Sequence, residues 1–375
     1  MPARDRRLSD FVLAKRALLR RWAPPLERAV DEARALRRRR QFRPDVPLNL
    51  VGVGVGEKVT AGRRTGEVCV KVLVARKYPL GRIPLRQRIP SRVAGMITDV
   101  QEVGYPRALP VRVLHALASH RPGRRGGSRG RGAGARGRRR AADLDPLRRR
   151  RPVPGGVSVG LDRGAVPYLF AGTLGVVLSD RSRPALRLGL SNNHVLANEN
   201  QAPLGAGVIQ PGSLDGGKEV DRIGTLERFE PLRFGNRPNS MDAAVAAFGR
   251  GAEGTVEILG LGAPTGMAEP ALEMRVRKMG RTTGLTEGIV RAVRFDVTGV
   301  EYEQGMVRVD DVVVIEGARG KFSDAGDSGS AILDGKGRLV ALLFAGSPRV
   351  TFAIPMPRIF KRLRLRLPPR AAVRR

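Results

Sequence analysis

The sequence predicts a mainly β protein, and three observations carry that expectation. Between residues 153 and 357, short apolar runs alternate with clusters of Gly, Pro, Asn and Asp, the spacing of an all-β barrel or sandwich. Glycine is abundant at 47 residues while aromatics make up only 4% of the chain, which suits a turn-rich β protein better than a helical bundle. The 375 residues are too many for one compact sandwich and enough for two domains with extensions.

Residues 1–45 read as a basic helical extension. Leu8, Phe11, Val12, Leu18, Leu19 and Trp22 recur at helical spacing, with Arg and Lys between them. Pro24-Pro25 ends that helix, and a second helical stretch, 26–40, runs into Arg37-Arg38-Arg39-Arg40. Residues 46–117 read as a small α+β domain. Its apolar, β-branched runs 49–55 and 68–75 flank a Gly-containing turn at 61–66 and predict a hairpin. Ile89, Val93, Ile97, Val100 and Val103 add a further strand and turn. Residues 118–152 are Gly, Arg, Ala and Ser with almost no large apolar side chain, so they predict a disordered basic linker. Residues 153–367 form the β domain, with strands expected in 165–178, 243–248, 288–297, 307–315, 330–333 and 339–344. Ile359, Phe360, Leu363 and Leu367 predict a short closing helix, and 368–375 is a basic tail.

The net charge of +34 is unevenly placed. Residues 153–357 hold 22 basic and 23 acidic side chains, so the excess lies wholly outside that segment. The basic arms could contact nucleic acid, acidic proteins or an anionic surface, or simply be solvated charge. Few aromatics and no nucleic-acid motif weigh against a dedicated nucleic-acid binder. A single cysteine, Cys69, excludes an intrachain disulfide. No signal-peptide pattern and no run approaching 18 apolar residues are present, which predicts a cytoplasmic location and no transmembrane segment. Scattered histidines and one cysteine give no metal cluster, and no phosphate-cradling Gly-x-x-x-x-Gly-Lys-Ser/Thr occurs, so no metal or cofactor is expected. Gly52 to Gly56 reads as a Val-alternating strand rather than a dinucleotide loop.

The sharpest local signal is Gly326-Asp327-Ser328-Gly329-Ser330. Flanking glycines let a serine present its Oγ on a tight turn and let a substrate approach the backbone, although the same string is also good turn chemistry. A nucleophilic serine needs a base. Of His115, His120 and His194, only His194 lies in the same domain, although a lone histidine is often a satisfied core residue. A third group must orient the imidazole. Asp242 stands at the edge of an apolar run, where an unpaired carboxylate is costly; the bland reading is a turn cap. The order His194, Asp242, Ser328 disfavours the α/β-hydrolases and the subtilisins.

On these residues the segment 153–367 resembles the chymotrypsin-like serine peptidases, especially the bacterial branch of α-lytic protease and the streptogrisins. The shared pieces are Gly172-Thr173-Leu174-Gly175, the His194, Asp242 and Ser328 segments, and Gly280-Arg281-Thr282-Thr283-Gly284. The whole chain, including 51–77 and Leu343-Phe344-Ala345-Gly346-Ser347, also resembles intracellular trypsin-like proteins related to the plant NARROW LEAF proteins. The resemblance implies a double β-barrel with the site in the cleft, His194 and Asp242 from the first barrel and Ser328 from the second. It implies an oxyanion hole from the N–H groups of Gly326 and Ser328, and an Arg281–Asp327 pair that holds the serine turn. It implies that Ala345, Gly346 and Ser347 pair with an extended peptide substrate, and that Phe322 sits at the base of the specificity pocket, disfavouring a basic P1 residue. Two departures stand out: Asn192-Asn193 replace the small residues common before the histidine, and Phe344 replaces a serine that commonly supports the aspartate. The resulting expectation is a serine endopeptidase; the alternative is a catalytically idle scaffold of the same fold that binds partners.

Overall fold

The protein's structure is a computed structural model, and it describes residues 3–22, 49–85, 88–108, 111–113 and 144–368. Two closed β-barrels form the centre of the molecule, the mainly β architecture expected. The N-terminal elements are α1 (Ala3–Trp22), β1 (Leu50–Thr60), β2 (Arg63–Val74), β3 (Arg92–Val93), β4 (Met96–Glu102) and β5 (Val111–Val113). After β6 (Val153–Gly155), the first barrel uses β7 (Val157–Leu161), β8 (Leu169–Leu174), β9 (Val176–Asp180), β10 (Arg187–Ser191), β11 (Gly207–Ile209), β12 (Arg222–Phe229) and β14 (Ala244–Phe248), with the one-turn helix α2 (Asn193–Leu196) after β10. Strand β13 (Gly235–Asn239), between β12 and β14, crosses to the second barrel's sheet, where it pairs with β19 (Met306–Gly317). After β15 (Gly254–Ile258) and β16 (Gly266–Met267), the second barrel uses β17 (Arg275–Gly280), β18 (Gly284–Glu301), β19 (Met306–Gly317), β20 (Ala331–Asp334), β21 (Arg338–Gly346) and β22 (Thr351–Pro355). Helix α3 (Met356–Arg362) and β23 (Leu365–Arg366) are the last elements of the described residues.

The second barrel is a ring, β17–β18–β19–β22–β21–β20, because β18 pairs with both β17 and β19 and β20 returns to β17. The first barrel closes through the chain itself. Strand β8 continues across Gly175 into β9, and the order β9–β10–β14–β12–β11–β7–β8 comes back to it. Alternation of side chains along each strand sends one set inward. One apolar cluster, including Val159, Leu161, Phe170 and Leu174, is drawn from the first barrel, and another, including Val290, Val313, Ile315 and Ile332, from the second. A third joins the barrels: Leu188 and Leu190 meet Leu342, Phe344 and Ile354 there. Each such fully buried side chain contributes about 1.5–3 kcal/mol of transfer free energy.

The N-terminal hairpin is longer than expected, with its turn at Ala61-Gly62, both at positive φ. It is not packed as an independent unit. Strand β1 pairs antiparallel with β18, so β1, β2, β4 and β3 extend the second barrel's sheet. The glycines of the Val-Gly alternation make this possible: a Cβ on Gly52 would lie 2.2 Å from the Asp296 carbonyl oxygen, and one on Gly54 2.6 Å from the Phe295 ring. Helix α1 covers β1 and β2 through Phe11, Ala14, Leu18 and Leu19, and Lys15 pairs with Asp296 at 2.9 Å.

The expected 26–40 helix, most of the basic linker and the tail from 369 lie outside the described residues. Residues 144–152, assigned above to the linker, are instead built onto the first barrel: the Ser158 N–H donates to the Pro146 carbonyl, and Arg151 donates to Gln210 and to the Asp221 carbonyl. Among the described residues no helix is long and apolar enough to cross a membrane, and no cluster of three or more His, Cys, Asp or Glu is arranged for a metal ion.

Candidate active site

His194 lies on α2, directly after the last residues of β10, and is fully buried. Asp242 precedes β14, which pairs with β10, and that ladder fixes the two side chains together. Asp242 Oδ2 accepts from His194 Nδ1 at 2.5 Å, and Oδ1 accepts from the His194 N–H at 3.2 Å. The Asn192-Asn193 departure has a structural use here. The Asn192 amide donates to the Asp242 carbonyl at 2.7 Å, and the Asn193 amide donates to Asn200 and to the Glu230 carbonyl.

Tyr302 completes the carboxylate shell, and nothing in the sequence pointed to it. Its hydroxyl donates to Asp242 Oδ2 at 2.8 Å from the end of β18, and its ring meets the His194 imidazole edge-on at 5.7 Å. Burial, reinforced by the Asp242 charge, raises the phenol well above its usual pKa, so it stays a donor. The backbone N–H groups of Glu303 and Gln304 donate to the buried Glu199 carboxylate, which fixes this loop against the first barrel. Phe344 is buried between the barrels, in the same apolar cluster as Tyr302.

Ser328 sits on a turn with glycines in the left-handed region on both sides, Gly326 at φ 96° and Gly329 at φ 93°. A Cβ on Gly329 would lie 2.1 Å from both Ser191 Oγ and the Thr173 carbonyl oxygen, so only glycine fits this approach. Thr173 joins the barrels: its N–H donates to the Ser328 carbonyl at 2.8 Å, and its hydroxyl donates to the Gly326 carbonyl at 2.9 Å. Among the described residues, neither the Gly326 nor the Ser328 N–H has an acceptor. His194 Nε2 is buried without a hydrogen-bond partner among the described residues, so the Ser328 hydroxyl–imidazole bond is not made in this structure.

The expected Arg281–Asp327 pair does not form. Arg281 reaches across to the first barrel and forks onto Asp215, with Nη2–Oδ1 at 2.5 Å and Nε–Oδ2 at 2.7 Å. Asp327 is instead enclosed by the β17–β18 turn. It accepts from the N–H groups of Thr282 (2.8 Å), Thr283 (3.1 Å) and Asp324 (3.0 Å), from the Thr283 hydroxyl (2.6 Å) and from Lys278 Nζ (3.2 Å). The reason is placement along the strand: Lys278, on the inward face of β17, points into the barrel and is wholly buried, whereas Arg281 lies past the strand end at Gly280 and turns onto the first barrel. Burial lowers the Lys278 pKa and the adjacent Asp327 charge opposes that shift.

Ser328 opens onto a cavity of about 510 Å³ whose walls include Lys321, Ser323, Ala325, Ala345, Gly346 and Ser347. The expected Ala345-Gly346-Ser347 edge is therefore on the cavity. Phe322 is not on its wall. Its ring packs with Val276, Val290 and Ile332, while Lys321 and Ser323 on either side face the cavity.

No family model matches the chain, and no curated protein matches it. Solved structures do. Thermobifida fusca Protease A is 18% identical, over 57% of this chain and 97% of that one, at a TM-score of 0.41. Nocardiopsis protease (NAPase) is 18% identical, over 57% and 98%, at 0.40. The protease domain of MamO from Magnetospirillum magneticum is 13% identical, over 59% and 98%, at 0.34. In fold the chain is similar to bacterial chymotrypsin-like serine proteases.

Proposed function

We propose that the chain is a serine endopeptidase with His194, Asp242 and Ser328 as its catalytic triad. The observation that carries the reading is the shell around His194. Nδ1–H donates to a buried Asp242 that is itself held by Tyr302, which leaves Nε2 as the free lone pair. That tautomer is the one a general base requires.

In this reading Ser328 Oγ attacks the substrate carbonyl and its proton passes to His194 Nε2. The Asp242 carboxylate stabilises the imidazolium. The tetrahedral oxyanion takes hydrogen bonds from the N–H groups of Gly326 and Ser328, each worth about 10²–10³ in rate. Collapse releases the amine, protonated by His194, and leaves an ester on Ser328. Water, deprotonated by the same imidazole, then releases the acid. Hydrogen bonds of this kind are often loose before substrate arrives and tighten in the complex. Arg281 and Asp327 act as supports: Asp327 holds the serine turn against the β17–β18 turn, and Arg281 ties the β17–β18 turn to the first barrel through Asp215.

The test is labelling of Ser328 by a fluorophosphonate probe, mapped by mass spectrometry. The expected result is modification that disappears in His194→Ala. No labelling and no turnover over a broad peptide library would favour a catalytically idle scaffold, the reading to which the unmade Ser328–His194 bond gives weight.

A further inference from the structure

The edge that an extended substrate would use is already paired, and its partner is the chain itself. Arg107 and Gly346 exchange both backbone hydrogen bonds: the Arg107 N–H donates to the Gly346 carbonyl at 2.8 Å, and the Gly346 N–H donates to the Arg107 carbonyl at 2.9 Å. This is antiparallel pairing, the geometry by which a peptide adds to a sheet edge. The other side of the segment is held as well. The Glu301 N–H donates to the Pro106 carbonyl at 3.1 Å, and the Ala108 N–H donates to the Glu301 carbonyl at 3.0 Å. Tyr302, which holds Asp242, is the next residue.

The same stretch then reaches the other barrel. Strand β5 pairs antiparallel with β8, with Val111 opposite Ala171, Arg112 opposite Phe170 and Val113 opposite Leu169. Ala171 is two residues before Thr173, whose N–H binds the Ser328 carbonyl. Gly346, the other anchor, lines the cavity that holds Ser328, and Tyr105 and Arg107 line it too. The two anchors therefore lie on opposite barrels, on either side of the serine turn. Between the described residues Ala108 and Val111 lie only Leu109 and Pro110, outside the described residues. Ala108 is 1% exposed, Ser328 4% and His194 0%.

We propose that residues 104–108 and β5 occupy the peptide-binding cleft as an internal, substrate-like occupant, so that the folded chain is self-inhibited and becomes open to peptides when this segment is released. The proposal rests on the peptidase reading, which it deepens. Both polar groups of Gly346 are taken and the β8 edge is covered, so an incoming peptide finds no ladder until the segment leaves. A purely structural staple would show the same hydrogen bonds, and binding separates the two.

The probe is a fluorescent synthetic peptide with the sequence of residues 104–113, added to the full-length Ser328→Ala chain and followed by anisotropy. Arg107→Pro removes the N–H that donates to Gly346. Losing one such bond shifts the segment's occupancy, and peptide affinity with it, by about tenfold. The expected result is weak binding to Ser328→Ala and at least about tenfold tighter binding to Arg107→Pro/Ser328→Ala. With Ser328 intact, Arg107→Pro is expected to be labelled by the fluorophosphonate about tenfold faster than the unaltered chain. A cooperative thermal transition shows that the variant folds; if it does not fold, Arg112→Pro on β5 is read in the same way. Unchanged peptide affinity in a folded variant overturns the proposal, whatever the labelling. Tighter peptide binding with no labelling in either chain overturns the peptidase reading and leaves the cleft occupant standing.

Discussion

Tyr302→Phe tests the site most directly. The change keeps the ring, its packing and its edge contact with His194, and removes one hydroxyl. That hydroxyl is one of three donors to the Asp242 carboxylate, and both partners are buried, so no solvent replaces it. A hydrogen bond to a charged group is worth about 1.5–3 kcal/mol. At about 1.36 kcal/mol per decade, a loss felt fully in the transition state lowers kcat by about tenfold to a hundredfold. KM should stay within about twofold, because Tyr302 is not on the cavity wall beside Ser328. The assay is steady-state hydrolysis of a peptide substrate, or fluorophosphonate inactivation where no good substrate is found. A double-mutant cycle with Asp242→Asn should show strong coupling. An unchanged kcat, or a loss carried by KM alone, would refute the argument that Tyr302 acts through Asp242.

Three further outcomes follow from the same geometry. Lys278→Met leaves Asp327 without its buried cation, and breaking such a pair costs about 3–5 kcal/mol; the four remaining donors put the expected loss at the lower end, read as a fall in the urea midpoint together with lost Ser328 labelling. Gly329→Ala places a methyl 2.1 Å from two oxygens at a φ of 93°, and should remove Ser328 labelling before it unfolds the barrels, as checked by circular dichroism alongside the probe. Acid stability should fall from about pH 4 downward, because the Asp180 and Asp334 carboxyls ionise more readily folded than unfolded. Burial pushes both up, but the Ser182 hydroxyl, the Arg183 and Ser182 N–H groups and Arg228 outweigh it at Asp180. At Asp334 the Arg338 N–H and guanidinium and the Lys336 N–H do so. Groups shifted downward add stability that is fully present above their unfolded pKa and lost as pH falls through the folded one, so Asp334→Asn should flatten the pH dependence of the unfolding midpoint between pH 5 and 3.

The linear order of the candidate site could be read because its proposed chemistry rests on rare residue types in distinctive settings. One histidine lies in the β domain, one serine is framed by glycines, and one aspartate precedes a buried strand. Strand periodicity gave the barrels for a similar reason: alternation is local, and β14 and β21 bury the runs that predicted them. The errors share a cause as well. Arg281 and Phe322 were assigned by position relative to a motif, but their side-chain directions depend on where the β17–β18 turn and the loop before Ser328 place each residue. Lys278 was invisible for the converse reason. A lysine in a strand reads as solvated until the barrel closes over it.

By itself the sequence determined the strand pattern, the near-neutral β domain and the chain order of His194, Asp242 and Ser328. The tertiary structure alone decided which donors surround Asp242 and Asp327, and what fills the edge at Gly346. Those partners stand 60 residues apart for Tyr302 and Asp242 and 49 for Lys278 and Asp327. A hydrogen bond is satisfied only within about 3 Å and along the donor direction, so its maker is fixed by sheet register and barrel closure, which no local stretch of sequence encodes.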